Sequence, residues 1–329
     1  FEAHLVPGQQ DDVLGEAVGL AALGPELRHL GVDLLQAVDA FFMENGLSPI
    51  LGYENNDYSK PIINPASGYT ETGFSTEPEV RNTGWQECQG NVNPGQVTMA
   101  GAYNMYCHRE ARFYIAVLYN RAWFSKTAEG GRQTMFLKGE QDGGISMDAP
   151  RNGYLQNKLA HPDRDNVNVT FPYRPAVDYR LAEAYLNYAE ALNECDPGNP
   201  DIMKYVNLIR VRAGIPEYGT GAGMITEPQG QEEVRQSIYK ERRVELCCES
   251  SIRYMDIRRL KIGEEILNRD FYGMNYFGSK LSDDKNDPDA YFVRTRYQTR
   301  SFQKKNYWFP VPQSEMDINP NLVQNPFWK

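Results

Sequence analysis

Between Asp178 and Pro216 the chain reads as two helices joined by a turn too short to let them part. Asp178 supplies a capping carboxylate for a first helix running to about Glu194. Leu181, Ala182, Tyr185, Ala189 and Leu192 share one helical face, with Glu183, Asn187 and Glu194 off it. Asp196-Pro197-Gly198-Asn199-Pro200 breaks the helix. A second helix follows with Ile202, Tyr205, Val206 and Ile209 inward, and Gly214-Ile215-Pro216 ends it. Two such helices cannot part, so their apolar faces must be buried together or against a third element.

The unit occupies about 34 residues, the period of tetratricopeptide repeats. After a glycine-rich loop from Gly219 to Gly230, a second pair is expected. Its helices are about 232–248, with Val234, Ile238 and Leu246 inward, and about 252–268, with Met255, Arg259, Ile262 and Ile266. Arg259 inside an apolar stripe calls for a carboxylate partner. Residues 176–270 therefore read as tetratricopeptide-like helix pairs.

Residues 1–175 differ. They are rich in Gly, Pro, Asn and Tyr. Leu34, Val38, Phe41 and Phe42 mark a short helix stopped by Asn45-Gly46. Tyr53 to Gly101 reads as a long loop, of the kind that usually carries a function. Arg112–Tyr119 and Met135–Leu137 are expected as strands. Residues 271–329 return to loops and strands, with period-two alternation over Tyr291–Tyr297 and a proline-rich tail. The fold class is mainly α, a tetratricopeptide-like superhelix of helical hairpins with a loop-rich, minor-β subdomain.

A formal charge of −10 argues against nucleic acid as a partner. The absence of any apolar run of 18 residues argues against a helical membrane span. Of the five cysteines, Cys247 and Cys248 are adjacent and would diverge on a helix, and most of the five read as small buried hydrophobes. No HExxH, Walker A, GxSxG or CxxC spacing occurs, and the four histidines form no i, i+4 pair, so no metal or cofactor is expected. Gly219–Met224 departs from GxGxxG, and Asp283–Asp289 reads as a solvated acidic loop rather than a calcium loop. Glu241 and Glu245, one turn apart, could be a glycosidase acid/base pair. Arg242, Arg243, Asp256, Arg258 and Arg259 nearby favour an ion-pair lattice instead.

The 21 tyrosines leave two choices, ligand recognition or a tyrosine-rich core. A sugar ring offers an apolar face and a hydroxyl rim, which aromatic faces and Asn, Gln or Arg side chains match. Trp85, flanked by Arg81, Asn82 and Gln86, is the leading ligand contact, with Tyr53, Tyr69 and Tyr103 in similar settings. Local loop packing is the competing reading for each ring. Trp123 reads as core, and Trp308 and Trp328 as structural anchors.

The tail from Trp308 to Pro326 (WFPVPQSEMDINPNLVQNP) closely resembles the C-terminal signature of the SusD/RagB family. Glu241–Leu246 with Arg253–Arg259 resembles the family's ERRxEL…RxxDLRR helix pair, and residues 178–212 its repeat helices. Val38–Gly46 matches a further family element. Glu110-Ala111-Arg112-Phe113 departs from the family's Asp-Pro-Arg-Phe, and Cys247-Cys248 stands where an aromatic and Gly are more usual. The resemblance implies a non-catalytic outer-membrane lipoprotein on the cell surface. Such a protein captures oligosaccharide or polysaccharide, or in some members peptide, and delivers it to a SusC-type TonB-dependent transporter. It implies no cofactor. A tetratricopeptide-type scaffold for protein assembly is the alternative outside the family's role. Members are longer at the N-terminus, where a lipid-anchored Cys and earlier repeats lie, so an N-terminal part of a longer protein is expected before Phe1.

Overall fold

The computed structural model of the chain describes residues 34–83, 95–127, 130–144, 149–158, 160–161, 172–173, 177–249 and 252–328. In chain order the helices are α1 Leu34–Ala40, α2 Ala111–Ala116, α3 Leu181–Cys195, α4 Pro200–Ala213, α5 Gly230–Glu245, α6 Ile252–Arg259, α7 Gly263–Ile266 and α8 Gln313–Ile318. The strands are β1 Ile50–Tyr53, β2 Pro61–Ile63, β3 Glu79–Val80, β4 Gln96–Thr98, β5 Val117–Leu118, β6 Trp123–Thr127, β7 Gly130–Gln133, β8 Leu155–Gln156, β9 Asp270–Gly273 and β10 Thr295–Thr299. They pair only as separate two-stranded antiparallel ribbons: β1–β2, β3–β4, β5–β8, β6–β7 and β9–β10. Among the described residues helix outweighs strand.

The α3–α4 hairpin forms where expected. The Asn199 side chain accepts from the Asp201 N–H at 3.0 Å, Pro200 opens α4, and Gly214 closes it at φ +75°. Ile202, Val206 and Ile209 are buried. The first helix starts three residues later than Asp178, with Arg180 at its cap. Its buried stripe is Ala182, Leu186, Ala189 and Asn193, while Leu181 stays 62% exposed. Packing against both α4 and α5 turns that face, and a polar residue helps set it. Asn193 and Gln231 exchange two side-chain hydrogen bonds, at 3.0 and 2.9 Å.

The second pair departs further from expectation. The continuous helix over 252–268 is two short helices, with Lys261 between them at φ +59°. Tyr254 and Ile257, not Met255 and Arg259, face the core. The pairing of Arg259 holds: its guanidinium meets Glu190 and Asp256, at 3.1 and 3.2 Å from Nη2.

Residues 112–119 form no single strand. Ala111–Ala116 is helical and only Val117–Leu118 pairs, with β8. The Glu110 carboxylate fixes the start, accepting from Phe42 N–H at 3.0 Å and from Arg112 Nε at 2.6 Å. Phe113 is then driven among Phe41, Tyr106 and Tyr119, and that packing outweighs local β propensity. Met135–Leu137 is likewise not a strand. Phe136 is buried, its N–H bound to Asn120 Oδ1 at 2.9 Å, and the ribbon lies upstream in β6–β7. The alternation over Tyr291–Tyr297 ends in β10 alone, since Tyr291 and Phe292 are both buried.

One large core joins the loop-rich part to the helices. It combines α1 and α2 with Tyr103, Tyr106, Tyr119, Tyr154, Tyr291 and Phe292, and reaches Ala213, Ile215 and Val244. Smaller clusters lie within α3–α4–α5 and around Tyr58, Ile257, Phe271 and Phe302. Asn45-Gly46 follows α1, and Gly46 is required there. It sits at φ +76°, and a Cβ would fall 2.6 Å from Arg210 Nη2.

Candidate functional site

The tyrosine question resolves toward the core. Ten of the 21 tyrosines are buried among the described residues. Several of their hydroxyls turn to backbone carbonyls or to one another, while that of Tyr69 is buried without a hydrogen-bond partner. Tyr114 Oη donates to Tyr106 O at 2.8 Å, Tyr119 Oη to Val97 O at 2.9 Å, and Tyr106 and Tyr154 meet at 3.2 Å. Burial pushes these phenols well above their usual range, so they stay protonated donors.

Two expected ligand contacts are part of that interior. Tyr103 is 3% exposed, its ring stacked on Phe292 at 4.3 Å, and Tyr69 is 5% exposed over Arg109. Rings enclosed this way have no open face for a sugar. Neighbouring apolar rings compete for them, which residue type alone does not reveal. Tyr53 is half-buried and donates its hydroxyl to Asp39 Oδ2 at 2.6 Å. Asp39 in turn is held by both arms of Arg294.

Arg81 and Asn82 stand apart from these tyrosines, directly after β3. Arg81 is tied down on every side. Its Nη2 lies 2.5 Å from Glu44 Oε2 and 3.3 Å from Glu79 Oε2, and its Nε donates to Arg109 O at 3.2 Å. His108 Nδ1 lies 3.1 Å from both Glu44 and Glu79. Asn82 is exposed beside this cluster. Trp85 and Gln86, the centre of the expected site, lie outside the described residues.

The Glu241/Glu245 pair is buried and ion-paired, with partners other than those expected. Arg112 Nη1 bridges the two, 2.7 Å from Glu241 and 2.9 Å from Glu245. Arg210 reaches Glu241 at 3.1 Å, Arg212 reaches Glu245 at 2.5 Å, and Arg180 also binds Glu245. Burial by itself would raise the Glu245 carboxyl, but Arg112, Arg180 and Arg212 pull it down to about 2. Glu110, whose main influence is burial, is shifted upward. Both oxygens of Glu241 and of Glu245 are occupied by arginines, a structural knot with no space for a glycosidic bond. Of the arginines expected in the lattice, Arg242 and Arg259 do pair with Asp256, at 2.7 and 3.2 Å.

A groove that sequence reasoning missed opens between α3, α5, α6 and the segment at Tyr307. It encloses about 760 Å³. Asn187, Glu190, Glu194, Met255 and Arg259 line it. Hydrogen bonds fix its polar groups, among them Arg242 Nη1 to Asn187 Oδ1 at 2.6 Å and Arg235 to Glu194 at 2.6 and 2.7 Å. Arg259 was the one visible signal. The groove itself arises from helices distant in sequence.

The remaining tryptophans are placed by the fold. Trp328 donates its indole N–H to Lys305 O at 2.9 Å and to Trp308 O at 3.1 Å, which anchors the tail. Trp123 is half-buried at the head of β6. No group of three or more His, Cys, Asp or Glu among the described residues could hold a metal ion. No described helix is long and apolar enough to cross a membrane.

Three comparisons bear on this architecture. The curated SusD-like protein P2 of Formosa agariphila is 32% identical over 149 residues, 45% of this chain and 25% of its own length. A solved SusD-like protein from Bacteroides fragilis aligns over 89% of this chain and 46% of its own, with a TM-score of 0.59 and 24% identity. A second structure from that organism, titled a SusD-like carbohydrate binding protein, aligns over 88% and 47%, with a TM-score of 0.56 and 21% identity. The chain thus spans a quarter of the curated relative and under half of each solved one. The SusD family model matches residues 34–328, helices, ribbons and tail together, and the chain belongs to that family.

Proposed function

We propose that this protein binds oligosaccharide or polysaccharide without catalysis and hands it to a SusC-type TonB-dependent transporter. In this reading the full-length protein works at the cell surface, held to the outer membrane by an N-terminal lipid anchor. The observation that carries the reading is the SusD family match over residues 34–328. The carbohydrate-binding title of one solved relative supports it. The Glu241/Glu245 knot supports the non-catalytic part, since both carboxylates are engaged by arginines. The α3–α4 hairpin, with α5 packed against it, is read as part of a tetratricopeptide-like superhelix.

The ligand contacts proposed are Trp85 with Arg81, Asn82 and Gln86. The rigid hold on Arg81 supports this, because it fixes one of the proposed contacts in place. Stacking on one indole face accounts for about 1–3 kcal/mol of binding. Screening the protein against oligosaccharide and peptide arrays, then titrating the hits by calorimetry, tests the function. Trp85→Ala is expected to weaken oligosaccharide binding by about ten- to a hundredfold. Unchanged affinity would remove the loop from the site. Response to peptides alone would make the protein a peptide-binding member, and stable capture of a protein with no glycan response would favour a scaffold.

A further inference from the structure

The two adjacent cysteines do not diverge as helical neighbours would. Helix α5 ends at Glu245, so Cys247 and Cys248 lie in the turn beyond it. Cys248 has left-handed backbone, φ +62°, a conformation costly for any residue with a Cβ. That twist leaves the two thiol sulfurs 3.5 Å apart, about 1.5 Å beyond disulfide bonding distance. Both side chains are buried, each residue 6% exposed. The turn is held from outside, with Gln156 Nε2 donating to Cys248 O at 2.9 Å and Lys158 bound to Glu245 O and Glu249. Cys107 differs, being buried with its thiol directed at Tyr103 O.

We propose that Cys247 and Cys248 form a redox-active pair, dithiol when reduced and a disulfide between neighbouring residues when oxidised. The oxidant is a small-molecule disulfide. The Cys247 thiolate attacks one of its sulfurs and expels the other half as thiolate, leaving a mixed disulfide. Cys248 then gives up its proton and attacks the Cys247 sulfur, releasing the second half as thiolate. Two protein thiols are oxidised and one small disulfide is reduced to two thiols. Either sulfur can donate in the hydrogen bond between the two thiols, and the accepting one is favoured as thiolate; with Cys248 as donor, Cys247 is the attacking group. Adjacent Cα atoms are about 3.8 Å apart, below the roughly 4.4 Å lower limit of ordinary disulfides. The bond formed is therefore strained and easily reduced, which suits a reversible switch better than a permanent staple. It would act on the turn carrying Glu245 and Glu249, both tied to Arg180.

The test is exchange with oxidised glutathione on the folded full chain, followed by alkylation and mapping of the tryptic peptide Val244–Arg253, which contains both cysteines. The peptide is expected to be lighter by two hydrogens and closed to alkylation until reduced. Folded protein should form it at least about tenfold faster than chain in denaturant, because the fold presents the sulfurs to each other. In Cys247→Ser and Cys248→Ser the remaining cysteine should end as a glutathione adduct or an alkylated thiol. A peptide alkylated twice, a link from either cysteine to another peptide, or equal rates with and without denaturant would each overturn the proposal.

Discussion

Arg109 is fully buried, and no carboxylate among the described residues pairs with it. Its guanidinium donates instead to carbonyls at the end of α1, Val38 O and Phe41 O (the latter at 2.8 Å), and to Met105 O at 3.4 Å in the turn just before it, while Tyr69 and Phe113 cover its faces. It does the work of a helix C-cap from 70 residues away in sequence. Burial draws its ionisation downward, so the charge is retained at a cost that the carbonyls must offset. Arg109→Met would keep the volume and leave those acceptors unpaired. We expect a loss of about 3 kcal/mol in urea denaturation; a loss below about 1 kcal/mol would show that α1 ends without its help. Nothing in the local sequence marks this role. Asn199, by contrast, announces its cap, because donor and acceptor lie two residues apart.

Among elements, the Glu241/Glu245 knot ties α2, α4 and α5 together, with Arg180 bringing in the start of α3. Its pH dependence has a definite sign. The Glu245 carboxyl is depressed to about 2 in the folded state, against about 4.3 in an unfolded chain. Its contribution is therefore complete above about pH 5 and is lost as pH falls toward 2. The two values differ by about 2 units, or about 3 kcal/mol. Glu245→Gln should destabilise the protein by about that amount at neutral pH, and the gap between variant and parent should close near pH 2. Thermal unfolding at stepped pH reads this directly, and a gap that stays constant with pH would refute it. Glu110 is shifted the opposite way and blunts the acid sensitivity of the whole. The sequence showed that these carboxylates sit among arginines. It did not show that Arg112 and Arg210, about 130 and 30 residues away, are the partners.

At the scale of the molecule, the loop-rich part and the helices share one core, from Val38 and Phe113 to Ala213 and Val244. The helices keep a smaller cluster of their own within α3–α4–α5, but the larger shared core spans both parts, so they should unfold together. Helical circular dichroism and near-ultraviolet signals from the tyrosine core are expected to give coincident transitions. Two separated midpoints would mean that the helices fold alone.

What the sequence determined by itself rests on short-range physics. The α3–α4 hairpin, the glycine stop after α4, the helix before Asn45-Gly46 and the family-defining tail all depend on residues a few positions apart, where caps, breakers and period act. Tertiary structure decided the rest: that 111–116 is helix, that α6 stops before Lys261, that Tyr69 and Tyr103 line an interior, and that a groove opens beside Arg259. Each of those outcomes depends on which distant side chain arrives to fill, pair or cover, and one-dimensional periodicity carries no record of that encounter.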